Sequence, residues 1–243
     1  MNIGIFDPDG KNNNPLNDMP YSDEYKNLSK MWSNLPGYEY GKKFLKMLKK
    51  NDIILIISAT GSGKSVLIPK FCFHYMNYKG LTVMTLPKKQ ITKNGALFSA
   101  KTLDTQIGEY VGYQYRGEKK KSDKTSLLYC TDGTIISMFK EDPLILEIDI
   151  LIIDEAHERA TNIDLLLYLV KNAINLRKSQ KLKELKLVIM SATIDESIFK
   201  KYFEKEFKYD FLEMAGKPNY PIDSIFLKES ILNKQNEHLK KGV

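Results

Sequence analysis

The sequence predicts an α/β domain built on a mainly parallel sheet with helices on both faces. Three observations carry that expectation. Short, mostly apolar runs recur at Ile53 to Ile57, Leu81 to Leu86, Ser126 to Cys130, Ile148 to Ile153 and Leu185 to Met190, the pattern of strands buried on both sides. Stretches with apolar residues at helical spacing lie between them, and strands alternating with helices imply parallel pairing. Polar or glycine-rich residues follow four of the runs at once, at Ser58 to Ser65, Thr131-Asp132-Gly133, Asp154 and Ser191. Ligands of such sheets bind beyond the carboxyl ends of the strands. These four places are therefore predicted to share one edge.

The chain of 243 residues has room for one large domain, or one domain with appendages, and 42% hydrophobic residues suffice for a full core. No apolar run approaches the ~20 residues that span a bilayer. Met1 to Pro20 is polar and lacks the apolar centre of a secretory signal. No membrane partner is expected. Cys72 and Cys130 lie far apart in apolar surroundings, without metal-ligand spacing. Buried free thiols in a reducing, intracellular compartment are expected. The net charge of +7 and a pI near 9.1 fit a polyanion partner. Two readings of the lysine excess stay open: affinity for nucleic acid, or compositional bias on solvated faces. Arginine occurs only as Arg116, Arg159 and Arg177. It is not equivalent to lysine where a fork of two bonds is needed.

Taken in order, residues 1–20 carry Asp7-Pro8-Asp9-Gly10, an Asn run, Pro15 and Pro20, the marks of a loop-rich arm. It is either disordered or docked through Ile3, Ile5 and Phe6. Tyr25, Leu28, Met31 and Trp32 predict a helix over Tyr21 to Ser33 with Ser22 as its N-cap. Pro36-Gly37 interrupts, and Tyr40, Phe44, Leu45 and Leu48 predict a second helix ending at Lys49-Lys50-Asn51. A helix is expected from Val66 to Tyr78, stopped by Lys79-Gly80, and another over 88–103 with a possible break at Asn94-Gly95. Ile107 to Tyr115 reads as a strand, Gly117 to Lys124 as a charged loop, and Ile135 to Phe139 as a helix behind a turn at Thr131-Asp132-Gly133-Thr134. Asn162 to Lys178 and Ile198 to Phe203 read as helices and Phe207 to Met214 as a strand. Pro218 and Pro221 bracket a turn, Ile222 to Phe226 is a further strand, and the tail from Lys228 is polar.

Ser58-Ala59-Thr60-Gly61-Ser62-Gly63-Lys64-Ser65 stands between a strand and a helix start, the order a phosphate-binding loop needs. Glycines let backbone N–H groups converge, and the helix adds the positive end of its dipole. Thr60, Gly61, Ser62 and Gly63 would cradle a nucleotide. Lys64 would reach its outer phosphates, and the Ser65 hydroxyl would meet a magnesium ion. Ser58 takes the place where the usual pattern begins with glycine.

Asp154-Glu155-Ala156-His157 follows a hydrophobic strand. A carboxylate there can hold magnesium opposite the phosphate loop, and its neighbour can activate water. Alone, the pair reads equally as the acidic start of a helix. Joined to the phosphate loop, it reads as catalytic.

Gly61 to Ser65, Thr85-Leu86-Pro87-Lys88-Lys89, Thr131-Asp132-Gly133-Thr134, Asp154-Glu155-Ala156-His157-Glu158-Arg159 and Ser191-Ala192-Thr193, in that order, resemble the DEAH-box RNA helicases of helicase superfamily 2. Tyr220-Pro221-Ile222 within Gly216 to Ile222 extends the likeness, which covers about residues 35–225. The lysine-rich, asparagine-rich style and Tyr21-Ser22-Asp23-Glu24-Tyr25 resemble helicases of large DNA viruses. The resemblance implies a RecA-like P-loop fold and use of ATP, or another nucleoside triphosphate, with Mg2+. It implies that Lys64 and Ser65 bind phosphates and metal, that Asp154 holds the metal and that Glu155 activates water. It implies that His157 couples the nucleotide site to a second domain, and that Ser191 and Thr193 link hydrolysis to strand movement. Pro87, Lys88 and Lys89, with Thr131, Asp132 and Gly133, would touch an RNA backbone without reading its sequence. Ser191-Ala192-Thr193 by itself would read as a helix cap.

Lysines at 88 and 89 replace the family's frequent arginine, so forked phosphate contacts become point charges. Thr102, beside Lys101, stands where the family often stacks an arginine on the adenine; low base selectivity is expected. No Gln-x-x-Gly-Arg-x-x-Arg-like stretch occurs. The expectation is a first motor domain at 35–227, an N-terminal extension at 1–34 and a polar tail or linker at 228–243 leading to a second RecA-like domain absent from this chain. Such a piece would bind nucleotide, hydrolyse it weakly and not unwind. A DNA-directed triphosphatase or helicase domain and a non-catalytic nucleic-acid-binding module are the alternatives. The expected location is the cytoplasm, a viral replication site or the virion.

Overall fold

The computed structural model describes residues 3–193 and 195–214. The expected turn at Pro218 and Pro221, the strand at Ile222 to Phe226, the Gly216 to Ile222 likeness, the boundary near 227 and the tail from Lys228 lie outside the described residues. Within them, eight strands form one sheet: β1 (Ile53–Ser58), β2 (Thr82–Leu86), β3 (Val111–Tyr115), β4 (Glu118–Lys120), β5 (Leu127–Thr131), β6 (Ile150–Ile153), β7 (Lys186–Ser191) and β8 (Tyr209–Met214). Their spatial order is β4-β3-β5-β2-β6-β7-β1-β8. Every pairing is parallel except β3 with β4.

The unbroken apolar runs follow from burial on both faces. Side chains alternate across a strand. Ile54 and Ile56 of β1 join one core, while Ile53 and Leu55 join the other. Ile152 and Leu151 of β6, and Val188 and Leu187 of β7, divide in the same way. The first core is closed by α1 (Asp23–Ser33), α2 (Gly41–Lys50), α3 (Lys64–Tyr75) and α4 (Lys89–Thr102). The second is closed by α5 (Asp132–Glu141), α6 (Thr161–Ser179) and α7 (Glu196–Phe203). The fold is a RecA-like α/β domain.

Register aligns the strand ends. Ile57 pairs with Ser191, Ile153 with Ile189, Thr85 with Ile153 and Leu86 with Thr131. The loops after β1, β2, β5, β6 and β7 therefore leave one edge of the sheet.

Four local expectations need correction. Gly117 to Lys124 is not simply a loop: Glu118–Lys120 is an antiparallel edge strand, turned at Gly117 with φ +99°. Glu118 binds Lys93 Nζ at 2.7 Å, the Tyr113 hydroxyl at 2.6 Å and the Tyr115 hydroxyl. Charges suit an exposed edge, so apolar alternation could not announce it. Helix α4 runs unbroken through Asn94-Gly95: Gly95 keeps a negative φ, and a Cβ there would make only ordinary contact with the Tyr129 ring at 3.4 Å, so the pair marks no break. Helix α3 starts at Lys64 rather than Val66, and α5 starts at Asp132 rather than Ile135.

The N-terminal residues from Ile3 onward lie on the first core. Ile5 is buried, the Phe6 ring stacks on Phe71 at 5.5 Å, and Tyr25 donates its hydroxyl to Asp7 O at 3.1 Å. Ser22 caps α1, accepting from Tyr25 N–H at 3.2 Å. Both cysteines are free and buried. Among the described residues no helix is long and apolar enough to cross a membrane.

Candidate functional site

The loop after β1 is shaped by backbone that only glycine adopts freely. Gly61 and Gly63 have φ of +85° and +88°, in the left-handed region. Ser62 N–H returns to Ala59 O at 3.3 Å, and Gly63 O accepts the first bonds of α3 from Val66 and Leu67 N–H. The loop thus opens straight into a helix N-terminus, an anion site by construction. Thr60 and Gly61 are exposed, whereas Ser62 and Lys64 are buried. The hydroxyls of Ser58, Ser62 and Ser191 are buried without a hydrogen-bond partner among the described residues.

Strand β6 delivers the acids to the same place. Ser65 Oγ donates to Asp154 Oδ2 at 2.8 Å, and Glu155 N–H donates to Asp154 Oδ1 at 2.9 Å. Lys64 Nζ lies 3.9 Å from Glu155 Oε1. Burial pushes the Asp154 carboxyl up to about 6 against the lowering hydrogen bond from Ser65, with the Glu155 charge adding to the rise. Glu155 itself has φ +54°, a conformation that costs about 1–3 kcal/mol for a non-glycine residue and marks functional turns. Among the described residues, no group of three or more His, Cys, Asp or Glu side chains forms a metal cage. A cation here would need the Ser65–Asp154 pair together with ligand oxygens.

His157 bridges this turn to the end of β7. Its Nδ1 is 3.3 Å from Glu155 Oε2, and Ala192 N–H donates to the same nitrogen at 3.4 Å. Ser191 is buried beside β1, and Thr193 is exposed.

The expected nucleic-acid residues fall along the β2 and β5 ends. Lys88 and Lys89 are exposed, and Lys89 Nζ donates to Arg116 O at 2.8 Å. Thr131 and Thr134 share a hydroxyl contact at 2.9 Å. A Cβ at Gly133 would meet nothing within 4 Å. Asp132 departs from the expectation in one respect. Its side chain is buried and its pKa raised by that burial, so only its backbone at the start of α5 is free to face outward. A cleft of about 850 Å³ joins Thr131, Gly133 and Thr134 to Arg116, Lys119 and Lys121 of the β3–β4 hairpin. Sequence reasoning missed this basic wall; its only signal was the lysine run at 119–121. A smaller cavity of about 390 Å³ runs from Ser65, Asp154 and Glu155 to Pro87 and Lys88.

The other arginines are engaged. Arg159 forks onto Asp164 at 3.0 and 3.2 Å. Arg177 is buried and donates to the carbonyls of Leu144, Ile145 and Ile148, a structural role. Thr102 is buried and turns its hydroxyl back to Phe98 O at 2.9 Å, within its own helix.

Fold and site together define a P-loop nucleotide-binding domain. The DEAD/DEAH box helicase family matches residues 39–200, and the chain belongs to that family. It is 43% identical over 240 residues to the protein of Acanthamoeba polyphaga mimivirus named "Putative ATP-dependent RNA helicase L540", covering 98% of this chain and 34% of the relative. It is 39% identical over 170 residues to the ATP-dependent RNA helicase HrpA of Borreliella burgdorferi, covering 70% of this chain and 20% of the relative. It is 36% identical over 203 residues to the ATP-dependent RNA helicase DHX33 of Drosophila melanogaster, covering 83% of this chain and 28% of the relative. The chain spans about a third or less of the length of these relatives.

Proposed function

We propose that the chain is the nucleotide-hydrolysing motor domain of an ATP-dependent RNA helicase of the DEAH-box type. The observation that carries this reading is the meeting of Lys64, Ser65, Asp154 and Glu155 at the carboxyl ends of β1 and β6. The N–H groups of Thr60, Gly61 and Gly63 and the Lys64 ammonium hold the phosphates, while the Ser62 N–H, returned to Ala59 O, shapes the loop. Glu155 takes the proton from a water as its oxygen bonds to the γ-phosphorus. The bond from that phosphorus to the bridging oxygen breaks, and the diphosphate leaves with the electron pair.

Ser65 and Asp154 would hold a magnesium ion. The donor set fits, since Asp154 is desolvated without a full counter-charge. One carboxylate and one hydroxyl beside phosphates is a usual arrangement for this strongly hydrated cation. When bound, it would supply neutralisation of phosphate charge.

Pro87, Lys88, Lys89, Thr131, Gly133 and the Asp132 backbone line the path of an RNA backbone, with Arg116, Lys119 and Lys121 as its outer wall. The open space at Gly133 supports this, because its missing side chain serves no internal packing. His157 passes the state of Glu155 to Ser191 and Thr193 through Ala192. Arg177 is buried in structural contacts, Arg159 pairs with Asp164 on the surface and Arg116 sits at the β3–β4 turn, none of them beside Lys64 and Glu155, so these 243 residues hydrolyse slowly and do not unwind alone. Arginine fingers are worth ~10³–10⁵ in such reactions. The turned-in Thr102 favours low base selectivity.

Binding and turnover of ATP by the wild type, Lys64→Ala and Glu155→Gln test the reading. Lys64→Ala weakens binding; Glu155→Gln keeps binding and loses turnover. Equal turnover in Glu155→Gln and wild type ends it. Tighter binding of single-stranded DNA than of RNA would move the substrate assignment to DNA.

A further inference from the structure

The phosphate loop is touched by a segment far before it in sequence. Gly37 N–H donates to Ser62 O at 2.9 Å. A Cβ at Gly37 would stand 2.9 Å from that oxygen and 3.3 Å from Leu67 Cδ1. Leu35 lies directly on Gly63, where an added Cβ would meet Leu35 Cδ1 at 2.7 Å and Leu35 Cβ at 2.9 Å. Pro36 opens the 3-10 turn Pro36–Tyr40 and locks its own φ. The segment is anchored from behind. Leu35 N–H reaches Trp32 O at 3.3 Å, Trp32 is buried at the end of α1, and the Tyr38 hydroxyl donates to Ile5 O at 3.0 Å.

A trans peptide points its C=O and its following N–H in opposite directions. With Ser62 O held by Gly37, the Gly63 N–H is turned away from Gly37, to the loop's own side. Gly63, at φ +88°, would otherwise sample many conformations. Leu35 above it removes that freedom.

We propose that Leu35-Pro36-Gly37 is a positioning element of the phosphate site: it holds the Ser62–Gly63 peptide so that the Gly63 N–H is presented to the nucleotide's phosphates before the nucleotide arrives. This rests on the loop's phosphate-binding role proposed above. The segment touches no substrate and acts only through the loop.

The test is the affinity of the 243-residue chain for ADP and AMP, measured by competition with a fluorescent nucleotide, together with the melting temperature. Gly37→Ala crowds the Ser62 carbonyl; Leu35→Ala uncovers Gly63; Leu35→Met covers it again. Gly37→Ala and Leu35→Ala are expected to bind ADP about tenfold more weakly, the low end for a hydrogen bond to a charged group. Their preference for ADP over AMP falls, because the loop serves the outer phosphates. Leu35→Met restores both. Wild-type preference for ADP that both variants keep overturns the positioning role and leaves the phosphate site standing. Equal losses for ADP and AMP, tracking a lowered melting temperature, also overturn it. A wild type without preference for ADP removes the phosphate reading, and this inference with it. Should Gly37→Ala not fold, the Leu35 pair decides by the same criteria.

Discussion

His157 Nδ1 and Glu155 Oε2 are 3.3 Å apart, and the same imidazole nitrogen receives the Ala192 N–H at 3.4 Å. One nitrogen cannot donate to a carboxylate and accept from an amide at once. The contact that wins depends on what Glu155 is doing. This gives a two-position element between Glu155, the acid proposed to activate water, and the strand end at Ser191.

His157→Ala should remove that element while leaving the phosphate loop intact. Nucleotide affinity then stays close to wild type. The mutual effect of nucleotide and RNA on each other's affinity, typically a 1–3 kcal/mol coupling, drops toward zero. Titrating single-stranded RNA with and without nucleotide reads it directly. Undiminished coupling rules the element out.

Asp154→Asn should separate stability from function. The carboxylate is buried and raised to about 6, so its charge costs the ligand-free fold. The amide is expected to raise ligand-free stability by roughly 1–3 kcal/mol. It should also abolish the extra stabilisation that magnesium adds to ADP binding. Thermal melts with ADP, with and without magnesium, check both.

Lys70 sets a pH dependence. It is fully buried, its Nζ 5.7 Å from the Trp32 ring and 5.6 Å from the Phe98 ring, with no hydrogen-bond partner among the described residues. Burial pushes its pKa down to about 7 from 10.5. Between those values the unfolded chain holds a proton that the folded chain has released. Stability from this group therefore rises with pH across that window, and the full cost is present below it. Lys70→Met should stabilise the protein by roughly 2–4 kcal/mol at pH 6 and flatten the dependence. Urea unfolding at pH 6 and pH 9 measures the difference; parallel curves for the two proteins refute it.

Lys88→Ala with Lys89→Ala should weaken binding of single-stranded RNA equally for every sequence. The slope of log affinity against log salt should shrink by about 0.7 per lysine. Anisotropy of labelled oligonucleotides at several salt concentrations tests this. A sequence-dependent loss would mean that bases, not phosphates, are being touched.

What could be read from letters follows what is local. The apolar run at Ile53 to Ile57 and the spacing Gly61-Ser62-Gly63-Lys64-Ser65 predict strand, loop and helix, because each is decided by neighbouring residues. Asp154 and Ser191 were placed on the same edge because parallel strands end there together, as the pairing of Ile57 with Ser191 shows. The Gly37 bond to Ser62 was illegible, since it joins two backbones and needs no particular side chain. The β3–β4 hairpin was hidden because Glu118, Lys119 and Lys120 look like a solvated loop until Glu118 finds Lys93 and Tyr113. Lys70 reads as a surface residue from its type alone; its burial follows only from the packing of α1 on α3 and α4.

Strand β1 lies between β7 and β8, both contributed by the last part of the described chain. On the ribosome its backbone emerges roughly 130 residues before either neighbour, a delay on the order of ten seconds at ordinary synthesis rates. Until then this almost wholly apolar strand has both edges unpaired. Nascent chains cut short before Lys186 should accordingly be sticky and protease-sensitive, and dependent on chaperones, with the nucleotide loop assembled only when translation is nearly through this region.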